Sequence, residues 1–453
     1  MAQHGFADVA EVRGDPDRLR VYEEGWQSWS PAGVYAARAT SPRPADPRAQ
    51  TMGFRPERQA PAGGFQGEGL LAAVAEDGSA RLWTAPDPAR AVPSIRARVQ
   101  ADRLVVAADG PVEERAAPDG LAAGLAAWAT ATGSAAGAPA GRPLGPGWCS
   151  WYVHWAAVSE SDVGAALDAA RSLELDVRLV VVDDGHQAEI GDWLRRSPRF
   201  GPLDVLAQRI RDAGCEPGLW TAPLLVGARS RLAAEHPEWL VGGALASERH
   251  WDQPIHVLDV THPGAAEHLA DTYRALRSAG FTFHKLDFLY GGALPGRRHG
   301  DAAPLDAYRH GLAIVREALG AGATLLGCGA PLLPSVGRVD AMRVSPDVDP
   351  RWEPHGADLS RPGMRAGLLA GRARAWQHGR LWTNDPDCLL ARPEVERRDA
   401  WAAHLDAVGG LALSSDPLEA LDAHGLALTR AALRPSDPAP LPVARLRALL
   451  SAG

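Results

Sequence analysis

The stretch FTFHKLDFLYGG (residues 281–292) decides the fold. Phe281, Phe283, Leu286, Phe288 and Leu289 ask for a core, yet Lys285 and Asp287 sit among them. A short apolar run bounded by glycine reads as a buried strand. Seven other stretches share this form: GWCSWYVHW (147–155), VRLVVVDDG (177–185), CEPGLWTAP (215–223), ATLLGCGAP (323–331), AMRVSPDV (341–348), RLWTNDPDC (380–388) and GLALSSDP (410–417). Helical segments such as SESDVGAALDAARSL and PLDVLAQRIRDAG fill most gaps, while the fifth-to-sixth gap is too short for a full helix. Eight strands alternating with helices over about 270 residues fit a (β/α)8 TIM barrel of the α/β class. A doubly wound sheet is the alternative, but no GxGxxG follows the first strand.

The polar residues repeat a pattern. In each stretch the apolar part comes first and polar groups gather at the C-terminal end: Asp183 and Asp184, Trp220, Lys285 and Asp287, Cys328, Arg343 and Asp347, Asn384 and Asp385. A barrel collects those ends on the face where active sites sit. Strand side chains alternate, so Lys285 and Asp287 share a side, and so do Arg343 and Asp347. A neighbouring cation lowers a carboxylate's pKa and suits a nucleophile. A carboxyl in a drier, carboxylate-rich place has a raised pKa and can donate a proton. Two such groups about 5–5.5 Å apart across a sugar are the arrangement of a retaining glycosidase.

Simpler readings stand beside this one. A strand aspartate is commonly a structural acceptor. The pair in VVVDDG could open a turn or bind Mg2+. Lys285 could form a Schiff base, although a carboxylate two residues on stabilises its protonated form. Cys328 could be a core thiol, and His186 and His284 read as structural. No HxxxH or HExxH motif appears.

Residues 1–130 look different. EDGSARLW and SIRARVQADRLVVAADGPVEE alternate apolar with polar and carry Asp-Gly turn signals, the mark of an antiparallel β domain. The Gly- and Pro-rich stretch ATGSAAGAPAGRPLGPG (131–147) reads as a linker. Residues 224–280 form a long insertion carrying Trp239 and Trp251, and LPVARLRALLSAG reads as a last helix.

Bulk properties exclude other classes. The 453 residues carry a net charge of −8 without a basic block, which argues against nucleic acid. No apolar run reaches the roughly 18 residues of a membrane span. The N-terminus lacks a basic-then-apolar leader, so the expected location is cytoplasmic. The four cysteines are scattered, against a disulfide framework or zinc site. Fifteen Trp against 7 Phe and 6 Tyr point to carbohydrate, because indole faces pack on sugar C–H faces.

EGWQSWS (24–30), GWCSWY (147–152), VVVDDGHQ (180–187), GLWTAP (218–223), KLDFLY (285–290), GCGAPLLPSVGRVDAMRVSPDV (327–348) and LWTNDPDC (381–388) together resemble the α-galactosidases of glycoside hydrolase family 36, the melibiase group. The resemblance spans roughly residues 22–420 in order. It implies an N-terminal antiparallel β-sandwich, here 1–140, before a (β/α)8 catalytic barrel, here 141–453. The usual C-terminal β domain is expected to be absent or minimal. It also implies removal of terminal α-galactosyl groups with retention, on a small α-galactoside, without metal, nucleotide or other cofactor. Carried over, Asp287 matches the nucleophile and Asp347 the acid/base. Asp183 and Asp184 match the pair that holds the galactose hydroxyls near C4 and C6. Lys285, Cys328 and Arg343 match sugar-contacting positions, Trp151 and Trp220 pocket walls, and Trp29 a tryptophan sent in from the N-terminal domain. An α-N-acetylgalactosaminidase, a galactosyl transferase, a non-catalytic sugar-binding protein and a metal- or Schiff-base-dependent lyase stay open.

Overall fold

The computed structural model describes residues 5–42, 52–139, 141–356 and 358–451. Residues 1–4 of the stretch read for a leader, Ala140 at the expected domain boundary, and the last two residues of the stretch read as a last helix lie outside these.

Two antiparallel sheets come first. One has the spatial order Ala7–Arg13, Arg103–Ala108, Ser94–Gln100, Phe65–Glu68. The other runs Gly33–Ala36, Arg20–Glu23, Leu70–Val74, Ala80–Thr84, Glu113–Ala117. The central strands of the second sheet are buried on both faces, and their alternation shows how. Val21, Leu71, Ala73 and Trp83 meet Phe65, Ile95, Leu104 and Val106 of the first sheet. Tyr22, Leu70, Ala72 and Leu82 face the opposite way, into a core shared with helix Leu121–Ala135.

That helix corrects the linker reading. Residues 131–135 continue it instead of starting a loop. Its small residues serve close packing: a Cβ on Gly133 would lie 2.1 Å from the Arg380 carbonyl oxygen. Tertiary contact overrides a composition that reads locally as flexible.

The eight apolar stretches form one parallel sheet, in chain order: Gly147–Cys149, Leu179–Val182, Glu216–Thr221, Phe283–Leu286, Thr324–Gly327, Ala341–Arg343, Thr383–Asp385 and Leu413–Ser414. The first strand also pairs with the eighth, Gly147 opposite Leu413. The seventh reaches the eighth through Leu411 N–H to the Asn384 carbonyl, at 2.8 Å. Unbroken chain order leaves no strand-order reversal, so the doubly wound alternative fails and the domain is TIM-like. The strands are shorter than expected. The chain leaves the ladder early, and Trp151 sits on a helical turn, Trp151–His154. Asp347 likewise lies on a loop past Arg343 and not on a shared strand side.

The 224–280 insertion is resolved into a three-stranded antiparallel sheet of Leu225–Gly227, Gln253–Leu258 and Leu240–His250, then helix Pro263–Ala279. The fifth-to-sixth gap holds only the turn Leu333–Ser335, as expected. The N-terminal segment fills the space. Ser28 N–H donates to the Ala330 carbonyl at 3.1 Å, and Leu332 N–H to the Trp26 carbonyl at 3.1 Å. Among the described residues no helix is long and apolar enough to cross a membrane.

A buried ion pair locks this contact. Arg374 Nε donates to Glu24 Oε1 at 2.7 Å, with both side chains fully buried. Arg374 Nη1 also reaches the Ser28 and Val344 carbonyls at 2.9 and 3.0 Å. Arg374→Met strands the Glu24 carboxylate in the core, and breaking a buried pair from one side costs about 3–5 kcal/mol. Urea unfolding is expected to show that loss, and a midpoint within error of wild type contradicts it.

Candidate active site

Ten expected site residues converge at the C-terminal ends of the parallel strands, around a cavity of about 300 Å3. Trp29, Trp151, Asp183, Asp184, Trp220, Lys285, Asp287 and Asp347 line it. Cys328 and Arg343 do not: they are buried behind it, 1% and 2% exposed.

Asp183 and Asp184 follow the fully buried strand Leu179–Val182. Asp183 Oδ2 accepts from Lys285 Nζ at 2.8 Å and from the Cys149 thiol at 3.3 Å. Burial works against the Lys285 charge, but Asp183 first, then Cys149 and Asp287, outweigh it and hold the ammonium protonated well above the ordinary lysine range. This disfavours a Schiff base, whose nucleophile is the neutral amine. Asp184 accepts from Gln187 Nε2 at 2.5 Å and from Trp251 Nε1 at 2.7 Å. Burial raises its pKa, with Asp183 and Asp287 adding to it, while those two donors favour the ionised form.

Asp287 is fixed from three sides. Its N–H donates to the Thr221 carbonyl at 2.8 Å. Its Oδ2 accepts from Trp220 Nε1 at 2.9 Å, and its Oδ1 from the Phe288 N–H at 2.8 Å. Phe288 takes a left-handed conformation, φ 50° and ψ 32°, which turns the chain sharply just after the carboxylate. Such strain in a bulky residue gathers at functional sites.

Asp347 lives in different surroundings. Its side chain is 31% exposed on the cavity wall, and Oδ1 accepts from Arg343 Nη1 at 3.0 Å. Burial raises its pKa to about 6, helped by Asp387 and Asp287 and opposed by Arg343 and Lys285. Arg343 is also shared: its Nε meets Asp385 at 3.1 Å and its Nη2 meets Asp387 at 2.9 Å. The guanidinium is thus engaged by three protein carboxylates. Burial, then Asp287, lifts the Cys328 thiol well above its ordinary range. Gly329 beside it has φ +51°, and a Cβ there would lie 2.7 Å from Trp29 Cη2, so the indole fits only against glycine.

The tertiary structure adds residues that no motif marked. Met52 and Gly53 come from the N-terminal region, His250 and Trp251 from the insertion, and Ser360, Arg361 and Pro362 from the loop after the sixth strand. Trp239, the other insertion tryptophan, stacks on His236 at 3.7 Å and is not part of the lining. Trp251 and Asp252 form the hairpin tip with φ 50° and 55°. A two-residue turn with both φ positive normally takes Asn-Gly. Here the strained turn aims an indole at Asp184, against Phe288 at 4.9 Å.

The melibiase family model matches residues 149–290. The α-galactosidase AgaA of Geobacillus stearothermophilus is 30% identical over 151 residues, 30% of this chain and 20% of that enzyme. The α-galactosidase 2 of Pediococcus pentosaceus is 30% identical over 134 residues, 27% of this chain and 18% of its own length. The matched part thus spans about a fifth of these curated relatives. Among solved structures, the α-galactosidase TtGalA of Thermus thermophilus aligns over 95% of this chain and 91% of its own, with a TM-score of 0.78 and 28% identity. It was solved in complex with p-nitrophenyl α-D-galactopyranoside and, separately, with stachyose. In its matched segment and its whole fold, the chain resembles the α-galactosidases of glycoside hydrolase family 36, the melibiase group.

Proposed function

We propose that the chain is a retaining exo-α-galactosidase that removes terminal α-D-galactosyl residues from small galactosides by double displacement. The observation that carries this reading is the pair of carboxyls in one cavity with unlike surroundings. Asp287 is pinned by two N–H donors, while Asp347 has a pKa raised to about 6. Asp287 attacks the anomeric carbon as Asp347 protonates the departing oxygen. Asp347 then takes a proton from water, which hydrolyses the galactosyl-enzyme. The likeness to TtGalA, solved with α-galactosides, supports the substrate class.

Asp183 and Asp184 accept the galactose hydroxyls near C4 and C6, with Lys285 at their side. A site that bonds a hydroxyl rejects the epimer that misplaces it. Trp29, Trp151 and Trp220 wall the sugar. Cys328 and Arg343 act from behind, Arg343 by holding Asp347. Residues 1–140 are read as a β-sandwich and 141–453 as a (β/α)8 barrel. The tests are turnover of 4-nitrophenyl α-D-galactoside and the anomer released first, followed by proton NMR. Retention requires α-galactose. Turnover of the α-N-acetylgalactosaminide alone, or β-galactose as first product, overturns the reading.

Trp251→Phe keeps an aromatic wall but removes one of the two side-chain donors to Asp184. A hydrogen bond to a charged group contributes about 1.5–3 kcal/mol, so kcat/KM is expected to fall at least about tenfold. The sign for pH follows. Losing a donor to the ionised form raises the Asp184 pKa further, so the acid limb of kcat/KM moves to higher pH. An unmoved acid limb removes Asp184 ionisation from the reading.

A further inference from the structure

Trp155 is held at a cost that its packing does not explain. It follows the helical turn Trp151–His154 with φ 49° and ψ −149°, near a region that is essentially reserved for glycine. Its side chain is 49% exposed, the joint-highest value but one among the large exposed apolar residues Val9, Leu194, Val205 and Leu245. Its indole N–H makes no hydrogen bond within the described protein. What it does touch is informative. Its ring stands edge-on to Trp151 at 4.8 Å and 70°, and to Tyr152 at 5.6 Å and 83°. Trp151 lines the cavity, and Trp155 does not. Trp155 therefore stands beside the cavity's aromatic wall, past the C-terminal end of the first barrel strand. An exposed indole face with a free N–H is suited to the apolar C–H face and the hydroxyls of a sugar.

We infer that Trp155 is the platform of an outer subsite that takes the pyranose ring of the leaving-group saccharide, beyond the bond that is cleaved. This rests on the function proposed above and names where that site binds the remainder of its substrate. The strain has a use in this reading, since the inverted backbone turns the ring out of the core and onto the lip.

The experiment compares kcat/KM for raffinose with kcat/KM for α-galactosyl fluoride, whose leaving group has no ring. Trp155→Gly suits the backbone and keeps the fold. Its raffinose-to-fluoride ratio is expected to fall about tenfold, mainly through a higher KM for raffinose, as loss of one stacking face requires. Trp155→Tyr keeps a ring and is expected to retain most of the ratio. A ratio unchanged within about twofold in both variants overturns the platform while the parent function stands. Wild-type turnover of the fluoride without turnover of raffinose also overturns it. No wild-type turnover of the fluoride sinks the parent reading and the platform with it.

Discussion

Asp287→Ala is expected to lose hydrolysis of 4-nitrophenyl α-D-galactoside by about four orders of magnitude or more, the scale seen when a catalytic nucleophile is removed. The geometry leaves no understudy. Asp183 is tied to Lys285 and Cys149, and Asp184 to Gln187 and Trp251. Among the described residues, Asp287 is the carboxylate that accepts from the indole N–H of Trp220. Alanine opens space beside the anomeric carbon, so added azide is expected to restore turnover and yield β-galactosyl azide. That product fixes the face attacked, and with it the role of Asp287. Rescue giving the α-azide, or a variant within tenfold of wild type, assigns the nucleophile elsewhere.

Asp347→Asn is the second large effect. General acid catalysis contributes about 10²–10⁴-fold, so kcat/KM for raffinose is expected to fall by that range. A nitrophenolate leaves with little help from a proton, so its galactoside is expected to suffer less in the first step. The pH profile supplies the sharper test. A raised pKa of about 6 means that the acid form is present below that pH and is lost above it. Wild-type kcat/KM is therefore expected to fall about tenfold per unit on the alkaline side of roughly pH 6. The asparagine variant loses that limb. A wild-type limb that survives in Asp347→Asn would falsify the assignment.

Much of the fold was legible because its signal is local. A buried strand is mostly apolar over a few consecutive residues, as LVVV and TLLG are. Strand ends were less legible. The stretch 147–155 reads as one strand, but the ladder stops at Cys149 and a helical turn takes over. Hydrophobic pattern marks burial, and Tyr152 of the turn is buried as the strand is, so the pattern runs past the strand's end. The linker reading failed over residues 131–135 for a related reason: Gly133 and its small neighbours look flexible until the Arg380 carbonyl is seen against them.

The candidate site divides the same way. Asp183, Asp184, Lys285 and Asp287 could be found in the sequence because strand alternation and chain order alone bring them to one rim. Arg343 was found as well, but its sharing among Asp347, Asp385 and Asp387 was not. That sharing binds one cation to three carboxylates, while burial is the first cause of the raised Asp347 pKa.

By itself, then, the sequence determined which strands form, their order, and which carboxylates reach the rim, since each depends on residues a few positions apart. The tertiary structure alone decided that Trp29 enters against Gly329 and that Trp251 arrives on a strained turn to hold Asp184. It also decided that residues 52–53 and 360–362 close the cavity. Those contacts join segments tens to hundreds of residues apart. Their energy comes from close approach and shared hydrogen bonds, which leave no period or spacing in the chain to read.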